Sequence, residues 1–324
     1  MDLVDPTKNQ HFVSQYEQRL NSINPGASKK NQRIFEHDLI DRRSCSTKLK
    51  SANGLLIQNS LSMHDLFSFD MLDNGEGRYN FELLFSRFES RAEIVTSALR
   101  AKIMQDGADV SCELIDFFKC RFLNFVRNPF SLKKMLNTFP GLELHQPTDP
   151  VQLKNFERVL NGRKPQQRFV CEVLGISDQE YREWLSVIFL LLFPSRGSAS
   201  ILDDLVGQFF SSSQYFRLIL IYTYTEHACL LSDRGFSMPA CGDDVMGFDF
   251  NLCSSGFVRY LFKDVDSDND TGLSKLSARQ VGLGVTTEAH HLVDELEVLK
   301  RYNMNVVYQC HRKVFCSGLE WYKG

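Results

Sequence analysis

Between Asn80 and Met104 the apolar residues Phe81, Phe85, Phe88, Ala92, Val95, Leu99 and Ile103 follow one another at steps of four or three. That spacing draws one stripe along a long helix, and such a stripe must be covered by other apolar surface. Asn80 can cap the helix, and Glu82 in the first turn suits its dipole. The chain supplies the cover immediately. Ser111 to Val126 reads as a second helix, broken at Asn128-Pro129 because proline has no amide proton and disfavours helix before it. Asp149-Pro150 opens a third helix that ends at Gly162. Ser177-Asp178-Gln179-Glu180 is a capping box for a fourth, running through Phe193 to Pro194.

The flanks follow a different rhythm. Gln10 to Ile23 carries Phe12, Val13, Tyr16, Leu20 and Ile23 at helical spacing and meets a stop at Asn24-Pro25-Gly26. Arg33 to Leu39 reads as a strand and Arg42 to Asn53 as a loop. Past Gln214, the runs Leu218 to Thr225, Val245 to Leu252 and Gly256 to Phe262 are strand-like, as are Val306 to Cys310 and Lys313 to Cys316. A helix is expected from Thr287 to Tyr302. The expectation is an α+β chain with a predominantly helical middle and a small strand-rich C-terminal region. It is read as one domain over 1–324, helical to about 212 and strand-rich from about 213.

Composition narrows the setting. A net charge of −3 gives no bulk reason to bind nucleic acid or an acidic membrane. The longest apolar stretch, Trp184 to Phe193, falls far short of the roughly 20 residues a bilayer span needs. Nine cysteines at wide spacings, with no C-x-x-C, suggest core thiols in a reducing cytoplasm.

Familiar chemical motifs fail in detail. Asp264, Asp266, Asp268 and Asp270 alternate like calcium ligands, but neither frame places glycine at position six and glutamate at twelve. His290-His291 point about 100° apart on a helix. Cys310-His311 would face opposite sides of a strand. Gly282-Leu283-Gly284 lacks the rest of a dinucleotide turn, and Ser195 to Ser198 reads as a helix connection. What remains is a set of polar residues beside apolar runs: His11, Glu89, Arg127 and Asp233. Brought together, they would offer acid–base groups and a cation for an anionic centre. The competing reading is a structural ion pair of Arg127 with Glu89 or Asp233.

The segment Asn9-Gln10-His11-Phe12-Val13 resembles the opening of a bacterial family known as domain of unknown function 4238, with Ser14 where that family usually has proline. Glu89 on a long helix, Arg127-Asn128-Pro129 after a later one, and Leu231-Ser232-Asp233 after a strand-like run are similar to further family segments, with Arg234-Gly235 replacing a proline. The resemblance implies a bacterial cytoplasmic effector, a hydrolase or nuclease, acting against phage. In that picture His11 is the acid or base. Glu89 and Asp233 position water or a divalent metal, and Arg127 stabilises negative charge. The alternative is a non-enzymatic binding or regulatory protein with a protein partner. A third reading makes the basic region Lys29, Lys30, Arg33, Arg42, Arg43, Lys48 and Lys50 a nucleic-acid contact.

Overall fold

The computed structural model describes residues 3–71, 77–105, 107–194, 199–266 and 287–324. The long stripe forms a helix over Glu82–Lys102. Asn80 lies two residues before its first residue, with Phe81 at the N-cap position between them. Its side-chain oxygen accepts the Glu82 N–H at 2.9 Å, and its amide donates to the Asp5 and Thr7 carbonyls. The cap therefore also ties the N-terminal segment to the helix start.

In chain order the strands are β1 (Asn9–His11), β2 (Arg33–Asp41), β3 (Ser46–Leu49), β4 (Leu55–Leu56), β5 (Ser62–His64), β6 (Asp70–Met71), β7 (Arg78–Tyr79), β8 (Tyr215–Thr223), β9 (Leu231–Ser232), β10 (Val245–Cys253), β11 (Gly256–Asp264), β12 (Thr287–Val293) and β13 (Lys313–Cys316). The α-helices are α1 (Gln15–Arg19), α2 (Glu82–Lys102), α3 (Ser111–Arg127), α4 (Leu132–Thr138), α5 (Pro150–Asn161), α6 (Gln167–Leu174), α7 (Asp178–Leu192), α8 (Ile201–Ser211) and α9 (Leu296–Gln309).

The helical middle packs around α7, whose apolar residues are buried on all sides by α4, α5, α6 and α8. Both sequence-level caps are present: the Ser177 capping box on α7, and Asp149 accepting two amides at the start of α5. A four-stranded sheet runs β10-β11-β8-β12, with β12 parallel to β8 and the other pairs antiparallel. Strand alternation gives it two apolar faces. Ile219, Phe248, Phe250, Tyr260 and Phe262 belong to the main core with α3 and α8. Phe118 of α3 meets four of those rings at 5.0–5.6 Å. On the other face Phe257 stacks on Tyr302 of α9 at 3.9 Å. A second sheet joins distant parts of the chain, in the order β3-β2-β13-β9.

The α+β mix agrees with the sequence reading, but seven of the nine α-helices given above lie between Glu82 and Ser211 and the first eighty residues are mostly strand and turn. The expected helix over Gln10 to Ile23 is only Gln15–Arg19. Gln10 is fully buried, accepts the Phe67 N–H and donates to Ser68, so pairing of β1 with β5 overrides the helical spacing. Ser14 then caps α1 by accepting the Glu17 N–H. Within the expected loop Arg42 to Asn53, β3 forms as a polar edge strand. The expected helix from Thr287 begins only at Leu296, because Thr287–Val293 joins the sheet and Asp294, at φ 56°, breaks the chain direction. The expected strand Val306 to Cys310 is the end of α9, where Val306 and Val307 are buried. Asp268, Asp270, Gly282 to Gly284 and Ser195 to Ser198 lie outside the described residues. Among those described, no helix is long and apolar enough to cross a membrane.

Candidate functional site

His11 ends β1, opposite Ser62 of β5. The next element, α1, is held by its inner side. Glu17 is buried against Arg121 at 2.8 Å and accepts from Asn124 at 2.8 Å. With Glu17 turned inward, Gln15 and Arg19, four residues apart, share the outer side. The α2 residues Glu82, Ser86, Glu89 and Glu93 recur at steps of four, three and four. Each follows a core residue: Phe81, Phe85, Phe88 and Ala92. A polar stripe thus runs beside the apolar one. The two elements enclose a cleft of about 320 Å³ lined by His11, Gln15, Arg19, Glu82, Glu89 and Glu93. Arg127, the last residue of α3, reaches Glu89 at 2.6 Å.

Burial shifts two of these groups in opposite directions. Desolvation lowers the His11 pKa to about 4; Glu89 partly opposes this and Arg127 reinforces it. The Ile57 and Gln58 carbonyls lie close enough to favour a ring proton, although Nε2 is buried without a hydrogen bond of good geometry. Nδ1 lies 3.5 Å from the Gln15 amide nitrogen. Arg19 donates to the other end of the same amide, which orients it. Desolvation also raises Glu82 to about 7, with Glu89 adding repulsion and Arg127 opposing it. Glu82 Oε1 is buried and has no protein partner. A neutral imidazole and a protonated carboxyl therefore coexist in one cleft between about pH 4 and 7.

Of the four residues singled out from sequence, three meet here. Arg127 and Glu89 do form an ion pair, with the arginine 1% and the glutamate 35% exposed. Asp233 does not join them. Its carboxylate is buried and accepts the backbone N–H groups of His311, Arg312 and Lys313 at 2.7, 2.7 and 3.0 Å. It clamps the start of β13, both of its oxygens committed to backbone donors. Glu82, Gln15, Arg19 and Glu93 were missed as site residues, although the α2 spacing that marks Glu89 also marks Glu82 and Glu93.

No family model, curated protein or solved structure matches the chain. The other sequence candidates have structural occupations. Among the described residues no group of three or more His, Cys, Asp or Glu side chains is arranged to hold a metal. Within the basic N-terminal region Arg42 donates to the Tyr308, Cys310 and His311 carbonyls, Arg33 to those of Asn53 and Gly54, and Lys50 pairs with Glu36. Burial pushes the Cys310 thiol up to about 12, so it is no nucleophile beside His311. His290 pairs with Glu288, and His291 with Thr223. All nine cysteines are free thiols, seven of them buried.

Proposed function

We propose that the cleft between α1 and α2 carries acid–base hydrolytic chemistry, with the His11 imidazole as the base and the Glu82 carboxyl as the acid. The observation that supports this is the pair itself: two titratable groups facing one open cleft, shifted in opposite senses by burial. His11 would take a proton from a water, and Glu82 would give one to the leaving group. The Arg127–Glu89 pair holds the electrostatics of the floor and is a positioning element.

The charge of the lining favours one substrate class. Glu82, Glu89 and Glu93 face the cleft, Arg127 is bonded to Glu89, and Arg19 is near both Glu89 and Glu93. Little free positive charge is left for a phosphodiester backbone. A hydrolase acting on a neutral or cationic substrate fits better than a nuclease. The resemblance to the bacterial family supports placing that activity in a cytoplasmic effector of antiphage defence.

The test is a hydrolase screen of the purified protein with ester, amide, glycoside and nucleic-acid substrates, alongside His11→Asn and Glu82→Gln. Activity should follow a bell with limbs near pH 4 and 7, and Glu82→Gln should remove the alkaline limb. Hydrolysis indifferent to both substitutions, in folded proteins, would refute the assignment. No hydrolysis of any of these substrates by the folded protein would favour the alternative, a binding or regulatory protein in which these groups are structural.

A further inference from the structure

A second cavity, of about 280 Å³, lies between α3, α4, α8 and the edge strand β10. Phe118, Phe122, Phe125, Phe209 and Phe248 are among the residues of its wall. These rings are braced from behind. Phe118 stacks on Phe122 at 5.6 Å, and Phe122 meets Phe125 at 5.2 Å and Phe248 at 5.7 Å. The wall is therefore preformed and cannot simply collapse into the space. Leu205 and Met246, each 39% exposed, stand where the cavity opens.

Lys134 of α4 is the one charged side chain on this lining. Its Nζ contacts the Met238 sulfur at 2.6 Å, a weak neutral acceptor. No carboxylate among the described residues pairs with it. Arg234, which donates to the Phe130 carbonyl, is near enough to repel it. An apolar chamber with an exposed cation at its edge is complementary to a molecule with an apolar body and one negative charge. A lone lysine suits a single carboxylate, since no arginine fork lines the cavity to take a phosphate bidentately. Met238 and Met246 are unbranched and adapt to a flexible chain. The volume falls just below the roughly 300–1,000 Å³ typical of small-molecule sites, which limits that chain to medium length.

We propose that this cavity binds a medium-length straight-chain carboxylate, its tail among the phenylalanines and its head on Lys134. The site is independent of the α1–α2 cleft and needs no chemistry there.

Calorimetric titration of the full chain with sodium decanoate, below the concentration at which it forms micelles, tests the idea. Saturable one-to-one binding is expected. Decan-1-ol, of equal length and no charge, should bind the wild type about tenfold more weakly, a difference of about 1.4 kcal/mol. That comparison requires no variant. Lys134→Glu, at an exposed position, should weaken decanoate about tenfold and leave decan-1-ol unchanged. Leu205→Trp should block both ligands. Absence of saturable decanoate binding, equal affinity for the alcohol, or decanoate binding untouched by Lys134→Glu would each overturn the proposal. So would binding to dioleoylphosphatidylglycerol vesicles without binding of free decanoate, which would make the face a membrane contact.

Discussion

Replacing Glu82 by glutamine should make stability climb between pH 4 and 7, a range over which this pair leaves the wild type nearly level. The reasoning is linkage. Glu82 has a folded pKa raised from 4.5 to about 7, so in that window the folded state binds the extra proton. Its contribution is favourable at low pH and declines as pH rises from about 4.5 to 7. His11 has a folded pKa lowered from 6.5 to about 4, so there the unfolded state binds the extra proton. Its contribution is full above pH 6.5 and is lost as pH falls towards 4. The two slopes oppose each other across nearly the same range. At about 1.4 kcal/mol per unit of pH, each is worth at most about 3.5 kcal/mol. Water in the open cleft reduces that to about 1–2 kcal/mol. Glutamine matches the protonated glutamate in shape. The variant should therefore equal the wild type near pH 4 and exceed it by about 1–2 kcal/mol at pH 8. Urea unfolding of both proteins at pH 4.5, 5.5, 7 and 8 reads this directly. Parallel stability profiles, or a variant less stable than the wild type at pH 8, would refute the opposed-pair argument.

Asp233→Ala removes the acceptor of three buried N–H groups and should cost about 3–5 kcal/mol, since each unsatisfied donor costs roughly 1–3 before water relieves it. With an unfolding entropy of about 2.1 cal/mol/K per residue, a thermal melt should fall by about 5 °C. Gly235→Ala should be strongly destabilising, by about 2–4 kcal/mol in denaturant unfolding. Its φ is +74°, and a Cβ there would lie 2.7–2.9 Å from the Asn124 side chain. Arg127→Ala should lose about 2–3 kcal/mol in the same assay, because it removes the Glu89 partner and a guanidinium 5.2 Å over Phe85. It should also move the acid limb of any activity profile to higher pH, since Arg127 helps hold His11 neutral.

Residues whose local signals matched their long-range contacts were the readable ones. The α2 stripe, the Ser177 capping box and the Asp149-Pro150 start all stand as their side chains imply. Where a distant partner dominates, local spacing misleads. Gln10 is committed to residues 67 and 68, so helix-like spacing around it yields a strand. Val306 and Val307 favour strands by shape, yet they complete the buried face of α9. His11, Glu89 and Arg127 were legible because each interrupts an apolar pattern. Glu82 was read as serving the helix dipole, and nothing local reveals that it is also desolvated. Asp233 had the right chemistry and the wrong neighbours, because its donors come from residues 311–313, far along the chain.

The pairing of β13 with β2 sets a timetable for folding. Glu36 of β2 and Lys313 of β13 are bonded partners 277 residues apart in sequence. At roughly 5–20 residues per second of synthesis, β2 waits about 15–55 s on the ribosome for its neighbour. Throughout that interval one of its edges is open to strands from other chains. Glu36, His37 and Asp38 on β2 put polar and acidic groups on the waiting edge and discourage such pairing. A chain released before residue 311 would have a β2 open along its β13 edge and an Asp233 carboxylate stripped of its donors. Interrupted synthesis should therefore yield material cleared by proteolysis, and not a partly working fragment.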